Sequence, residues 1–129
     1  MGGRETSVIS IVDDDASLRR VLTNLFERAG FRVESFASAE AFQNSVHPHD
    51  TGCLVLDLRM PGLNGLDLLR HLKATGSRVP VVILTAHGDD EMRRRCLEAG
   101  AMAFLPKPFD RAALLGAVQV AMGNRGEDD

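Results

Sequence analysis

Short apolar runs alternate along the chain with stretches whose apolar residues recur every three or four positions, and this alternation predicts five strand-helix units. The strand-like runs are Val8 to Val12, Arg32 to Phe36, Cys53 to Leu58, Val81 to Thr85, and a shorter one at Ala103 to Leu105. Most are rich in Val, Ile and Leu, as strands covered on both faces require. After the first run, Leu18, Val21, Leu22, Leu25 and Phe26 recur at helical spacing, and Ala29-Gly30 ends the helix with a residue able to adopt the left-handed C-terminal conformation. Ser38 is suited to cap a short second helix carrying Ala41, Phe42 and Val46, which stops near Pro48. A third helix carries Leu66, Leu68, Leu69 and Leu72 after Asn64-Gly65. A fourth runs from about Asp90 to Ala99 before Gly100, and a fifth begins near Asp110 with Leu114, Leu115 and Val118.

Parallel strands joined by right-handed helical crossovers form an α/β doubly wound sheet, here five-stranded, with its ligand site beyond the carboxyl ends of the strands at the switch in strand order. Chemistry is therefore expected where strands end. The 129 residues suffice for one domain with one sizeable core. Residues 1–6 are polar and expected to be disordered, residues 7–122 form the domain, and the glycine-bearing polar segment 123–129 is expected to be a disordered tail or a truncated linker.

Composition narrows the function. With 44% hydrophobic and 26% charged residues the chain has the profile of a globular domain. Its net charge of -3 supplies no basic field, so direct nucleic-acid binding is not expected. Cys53 and Cys96 lie in apolar stretches and read as small core hydrophobes of a reducing compartment. No apolar run has the length of a membrane span and no signal peptide is evident, so a cytoplasmic location without membrane contact is expected. Met1, Gly2 and Thr6 match a myristoylation pattern too short to outweigh a polar N-terminus.

Asp13, Asp14 and Asp15 follow the first strand, and Asp57 ends the third. The fold brings these carboxylates to one sheet edge, where their repulsion calls for protonation, a hard cation or an ammonium. Lys107 after the fifth strand supplies an ammonium, and Thr85 at the end of the fourth supplies a hydroxyl. Asp15 reads as the cap of the following helix, and Pro61 and Gly65 as turn residues.

This set, with AspLeuArgMetProGly at 57–62 and LeuProLysProPhe at 105–109, resembles the receiver domains of two-component response regulators over roughly residues 7–122. SerPheAlaSerAlaGluAlaPhe at 35–42 and ThrAlaHisGlyAsp at 85–89 are similar to the FixJ/NarL-like branch. The resemblance implies strand order 2-1-3-4-5, Asp57 as phosphoacceptor, and a Mg2+ (or Mn2+) site. In that site Asp14 is the direct ligand, Asp13 holds metal-bound water, and Asp57 and the backbone carbonyl of Arg59 complete the protein share. It implies that Thr85 and Lys107 bind phosphoryl oxygens, that Lys107-Pro108 is a cis peptide, and that Thr85 with Phe104 forms the switch. Phosphoryl transfer spreads charge over equatorial oxygens, which a cation, an ammonium and a hydroxyl would stabilise.

The implied partners are a cognate sensor histidine kinase and, after phosphorylation, a second copy meeting the face of the fourth helix, fifth strand and fifth helix. There Arg93, Arg94, Arg95, Asp110 and Arg111 are candidates for charged contacts, though most of the arginines are expected to be solvated. Arg59 and His87, two residues beyond Asp57 and Thr85, are candidates for controlling hydrolytic water. The implied function is a signalling phosphoacceptor rather than an enzyme, an isolated or truncated receiver of a transcriptional regulator. An aspartyl phosphatase would need a second carboxylate where Arg59 stands, and a flavin phosphate would be repelled by Asp13 to Asp15. His47, His49, Asp50 and Cys53 are a poor zinc set, because Pro48 breaks the geometry and Cys53 begins a buried strand.

Overall fold

The computed structural model describes residues 8–45, 51–86 and 88–127, with side chains described through residue 123. Its elements alternate as β1 (Val8–Val12), α1 (Ala16–Arg28), β2 (Arg32–Phe36), α2 (Ala39–Gln43), β3 (Thr51–Leu56), α3 (Gly65–Ala74), β4 (Val81–Thr85), α4 (Asp90–Glu98), β5 (Ala103–Pro106) and α5 (Arg111–Glu127). The strands pair in parallel in the order β2-β1-β3-β4-β5. This is the doubly wound sheet expected from the alternation.

The central strands explain how an unbroken apolar run serves two cores. Successive side chains point to opposite faces. Cys53, Val55, Val82 and Leu84, with Ile9 and Ile11, pack against Leu22, Leu25 and Phe26 of α1 and Leu114, Val118 and Ala121 of α5. Leu54, Leu56, Val81 and Ile83, with Val12, pack on the other side against Ala39 and Phe42 of α2, Leu66, Leu68 and Leu69 of α3, and Cys96 of α4. Both cysteines are buried and free, and burial pushes the Cys53 thiol up to about 12. β2 lies at the sheet edge and is largely exposed, so it needs only Val33 and Phe36 half-buried.

Several boundaries differ from the sequence expectation. β3 begins at Thr51, whose hydroxyl meets that of Ser10 at 2.8 Å inside the sheet, and it ends at Leu56, so Asp57 and Leu58 lie just beyond it. The turn toward α3 starts there, because Gly65 returns its N–H to the Leu58 carbonyl. Val21 is 51% exposed and leaves the buried stripe of α1 to Leu22, Leu25 and Phe26. α4 closes at Glu98, with Ala99 as its cap. The α5 backbone is helical to Glu127, across most of the segment expected to be a tail from residue 123, since Gly123 and Gly126 each cost only about 1 kcal/mol in a helix and do not break one. Residues 1–6, and Val46 and Pro48 at the expected end of the second helix, lie outside the described residues.

Candidate functional site at the carboxyl edge of the sheet

Strand order reverses between β1 and β3, and the first residue past each of these strands is an aspartate. The ladder holds both. The Asp13 N–H donates to the Phe36 carbonyl at 3.1 Å, and the Asp57 N–H to the Val12 carbonyl at 3.0 Å. At the other side of the sheet the Lys107 N–H donates to the Thr85 carbonyl at 3.0 Å, so Lys107 leaves β5 beside the end of β4. Three chain segments distant in sequence thereby deliver their side chains from hydrogen-bonded backbone.

Asp13, Asp14 and Asp57 each bring a carboxylate oxygen within 4.8 Å of the others. They are unequal. Asp13 is 3% exposed and partnered on both oxygens, Oδ1 accepting from the Asp15 N–H at 2.9 Å and Oδ2 from the Lys107 ammonium at 2.7 Å. Asp14 is exposed. Asp57 is 6% exposed, with Oδ2 3.5 Å from Lys107 Nζ, while its buried Oδ1 accepts no hydrogen bond from the protein. Burial, then the charge of Asp13, pushes the Asp57 carboxyl above its ordinary range, against the opposing pull of Lys107 and the Arg59 main-chain N–H. Burial also opposes the charge of Lys107, but the hydrogen bond to Asp13 and the charges of Asp13 and Asp57 outweigh it and hold the ammonium above its usual value.

Local sequence explains the loops. Asp15 caps α1, accepting from the Ser17 and Leu18 N–H groups at 2.9 and 3.2 Å, as expected. Asn64 caps α3 and Asp110 caps α5 in the same way. The Lys107–Pro108 peptide is cis.

The remaining expected positions are distributed as follows. Thr85 ends β4 and is buried, while Phe104 is half-buried on β5 and packs against the α2–α4 side of the core. A Cβ on Gly88 would run into the Phe104 ring, so that glycine admits the ring beside the β4–α4 loop. The Arg59 side chain is exposed, while His87, His47, His49 and Asp50 lie outside the described residues. Arg94 and Arg95 are engaged within α4, Arg94 with Glu91 and Glu98 at 2.7 and 3.0 Å and Arg95 with Glu91 at 3.1 Å. Arg93 and Arg111 are exposed.

Two residues at the site had no distinct signal in the sequence. Arg19, half-buried on α1, donates from Nη1 to the Asp13 carbonyl at 2.7 Å and brings a second cation to the acidic edge. Its position six residues after Asp13, one turn into a capped helix, was the available hint. Gly65, expected to be turn chemistry, is the first residue of α3, and a Cβ there would meet the Asp57 carbonyl oxygen. Only glycine lets α3 start this close to the residue that follows β3.

Comparison with known proteins identifies the family and agrees with the fold. The family model for the response regulator receiver domain matches residues 9–119. The chain is 41% identical over 123 residues to the transcriptional regulatory protein FixJ of Azorhizobium caulinodans, covering 95% of this chain and 58% of that protein. It is 43% identical over 116 residues to the response regulator protein TodT of Pseudomonas putida, covering 90% of this chain and 51% of that protein. It thus spans little more than half the length of these relatives. Among solved structures, the response regulator StyR superposes with a TM-score of 0.86 at 45% identity, covering 95% of this chain and 62% of that one.

Proposed function

The chain belongs to the response regulator receiver domain family, and on that premise we propose that it accepts a phosphoryl group on Asp57 and relays the event through the α4, β5 and α5 face. The observation that carries the reading is the buried Asp57 Oδ1, free of protein donors beside an ammonium 3.5 Å from its sister oxygen. A buried acceptor without a donor is costly, and an incoming electrophile or cation is the partner it lacks.

In the proposed reaction a lone pair on Asp57 Oδ1 forms a bond to phosphorus in line with the bond to the donor, a phosphohistidine of a sensor kinase. That P–N bond breaks, and its electron pair leaves with the imidazole nitrogen. Lys107 faces the developing charge as an ammonium and Thr85 would donate a hydroxyl hydrogen bond to it. The acidic trio fits a divalent ion: three carboxylate oxygens within 4.8 Å are hard donors, and Asp14 is exposed to receive a hydrated ion. Because both Asp13 oxygens already accept hydrogen bonds, Asp13 is suited to orient bound water while Asp14, Asp57 and the Arg59 carbonyl serve as ligands. Mg2+ or Mn2+ would supply neutralising charge at the transferring group.

For output, Thr85 drawn toward the phosphoryl oxygens would free space into which Phe104 turns, altering the face of α4, β5 and α5. A second copy docking there, and an output domain acting in transcription as the names of the relatives suggest, complete the proposal. The test is intact mass after incubation with acetyl phosphate and Mg2+. One phosphoryl group gained by the native chain and none by Asp57→Asn is the expected result, and an equal gain by both would overturn the assignment.

A further inference from the structure

The segment between Asp57 and α3 is the least supported part of the site by secondary structure. It runs through Leu58, Arg59, Met60, Pro61, Gly62, Leu63 and Asn64 without helix or strand. Gly65 pins its far end against the Asp57 carbonyl. Its last turn is also held from α2. Oε2 of Glu40 accepts a hydrogen bond from the Leu63 N–H at 2.9 Å, joining residues 23 apart in sequence. The bond holds the Glu40 carboxyl below its usual range.

The neighbouring glycine is fitted to this contact. Gly62 has φ +80°, a conformation that side chains rarely adopt, and a Cβ there would sit 2.7 Å from Glu40 Oε2. The carboxylate thus lies against bare backbone. On the α4 side the same loop borders a cavity of about 530 Å3 lined by Leu58, Met60, Leu66 and Met92 among others. Leu58 and Met60 anchor the loop in the core, and the Glu40 bond adds a tether from α2 at its Leu63 end.

We propose that Glu40 is a positioning residue for the β3–α3 loop, holding its main chain where the Arg59 carbonyl and Asp57 can serve the same metal ion. The metal part rests on the receiver reading given above. Glu40 is exposed and on the surface of α2, so its replacement spares the core. An amide at this position keeps an oxygen acceptor for Leu63, whereas alanine removes it.

The experiment measures Mg2+ affinity by calorimetry and hydrogen exchange at the Leu63 amide in the native chain, Glu40→Ala and Glu40→Gln. We expect Glu40→Ala to weaken Mg2+ binding about tenfold, the lower end of what loss of a supporting contact outside the ligand shell costs. Its Leu63 amide should exchange faster with the melting temperature nearly unchanged, and Glu40→Gln should retain native behaviour on both counts. Native affinity in Glu40→Ala, or Glu40→Gln behaving as Glu40→Ala, overturns the proposal. If the native chain itself binds no Mg2+, the metal reading fails instead, and the exchange rate at Leu63 still decides whether Glu40 holds the loop.

Discussion

Replacing Lys107 with Met removes the one ammonium that, among the described residues, touches the acidic edge, while keeping an apolar stem of similar length. At an effective dielectric of about 20, a pair 2.7 Å apart such as Lys107–Asp13 has a raw Coulomb energy of about 6 kcal/mol. Desolvation cancels part of that, since the lysine side chain is 19% and the Asp13 side chain 4% exposed. The remainder should fall near the about 3–5 kcal/mol lost when one partner of a buried pair is deleted, because Asp13 and Asp57 are left facing each other. The sign of the pH dependence follows from Asp57, whose folded carboxyl is already raised by burial and by the Asp13 charge. A raised acid penalises the fold above its folded pKa, and the penalty fades as the pH falls toward the unfolded value of about 3.9. The deficit of Lys107→Met should therefore be largest near neutrality and shrink on acidification. Lys107 itself is raised, so its own contribution in the native chain is complete below its unfolded value of about 10.4 and disappears only in stronger alkali. Thermal unfolding of both chains across pH 4 to 8 reads the difference, at roughly 3–5 °C per kcal/mol for a chain of this size. Equal deficits at pH 4 and pH 7, or no deficit at all, would refute the account of the site as repelling carboxylates held by one lysine.

Asp57→Asn should stabilise the metal-free fold by about 1–3 kcal/mol at pH 7, since it removes a buried charge whose Oδ1 has no donor. The gain should vanish toward pH 4, and a chemical denaturation midpoint that falls instead would contradict it. Gly65→Ala should cost about 1–3 kcal/mol through backbone overpacking, where a helical glycine ordinarily gains about 1 kcal/mol from the same change. The new Cβ would lie 2.9 Å from the Leu58 Cα, and a raised melting temperature would show that this approach can relax. Ser10→Ala and Thr51→Val should each cost about 1–3 kcal/mol by stranding the other buried hydroxyl, and the double variant should cost far less than their sum. Additive losses in a double-mutant cycle would show that the 2.8 Å contact carries no coupling.

What could be read from the sequence divides along physical lines. Strands and helices were legible because period two and period 3.6 are imposed on the chain by burial, and Val81 to Thr85 needs no partner to declare itself. The acidic cluster was legible through the strand order that the receiver resemblance implies: with β1 beside β3, Asp13 and Asp57 at the ends of those strands must meet. Contacts made by long side chains to main-chain atoms were not, because an arginine six residues past Asp13 or a glutamate 23 residues before Leu63 leaves no periodic trace. Val21 repeats with the apolar stripe of α1 yet lies outside it, since helical spacing fixes a face only to within a residue's width and packing chooses its edge. The same holds for Gly65, whose composition signals a turn while its role is the closeness of α3 to Asp57.

The inequality among the three carboxylates is what makes a shared cluster into a directed one. Had Lys107 bridged Asp13 and Asp57 equally, each carboxylate would have one engaged oxygen and either could attack an electrophile. The ammonium instead stands 2.7 Å from Asp13 and 3.5 Å from Asp57. The Asp15 N–H closes the second Asp13 oxygen, and Arg19 fixes the Asp13 main chain. Both Asp13 oxygens are thereby engaged by the protein, and Asp14 faces solvent. Asp57 alone keeps a buried oxygen with no protein donor, in surroundings that raise the free energy of its charged form. In the proposed reaction a carboxylate so placed has the most to gain from bonding to phosphorus, and the residues that engage Asp13 would be part of what selects Asp57.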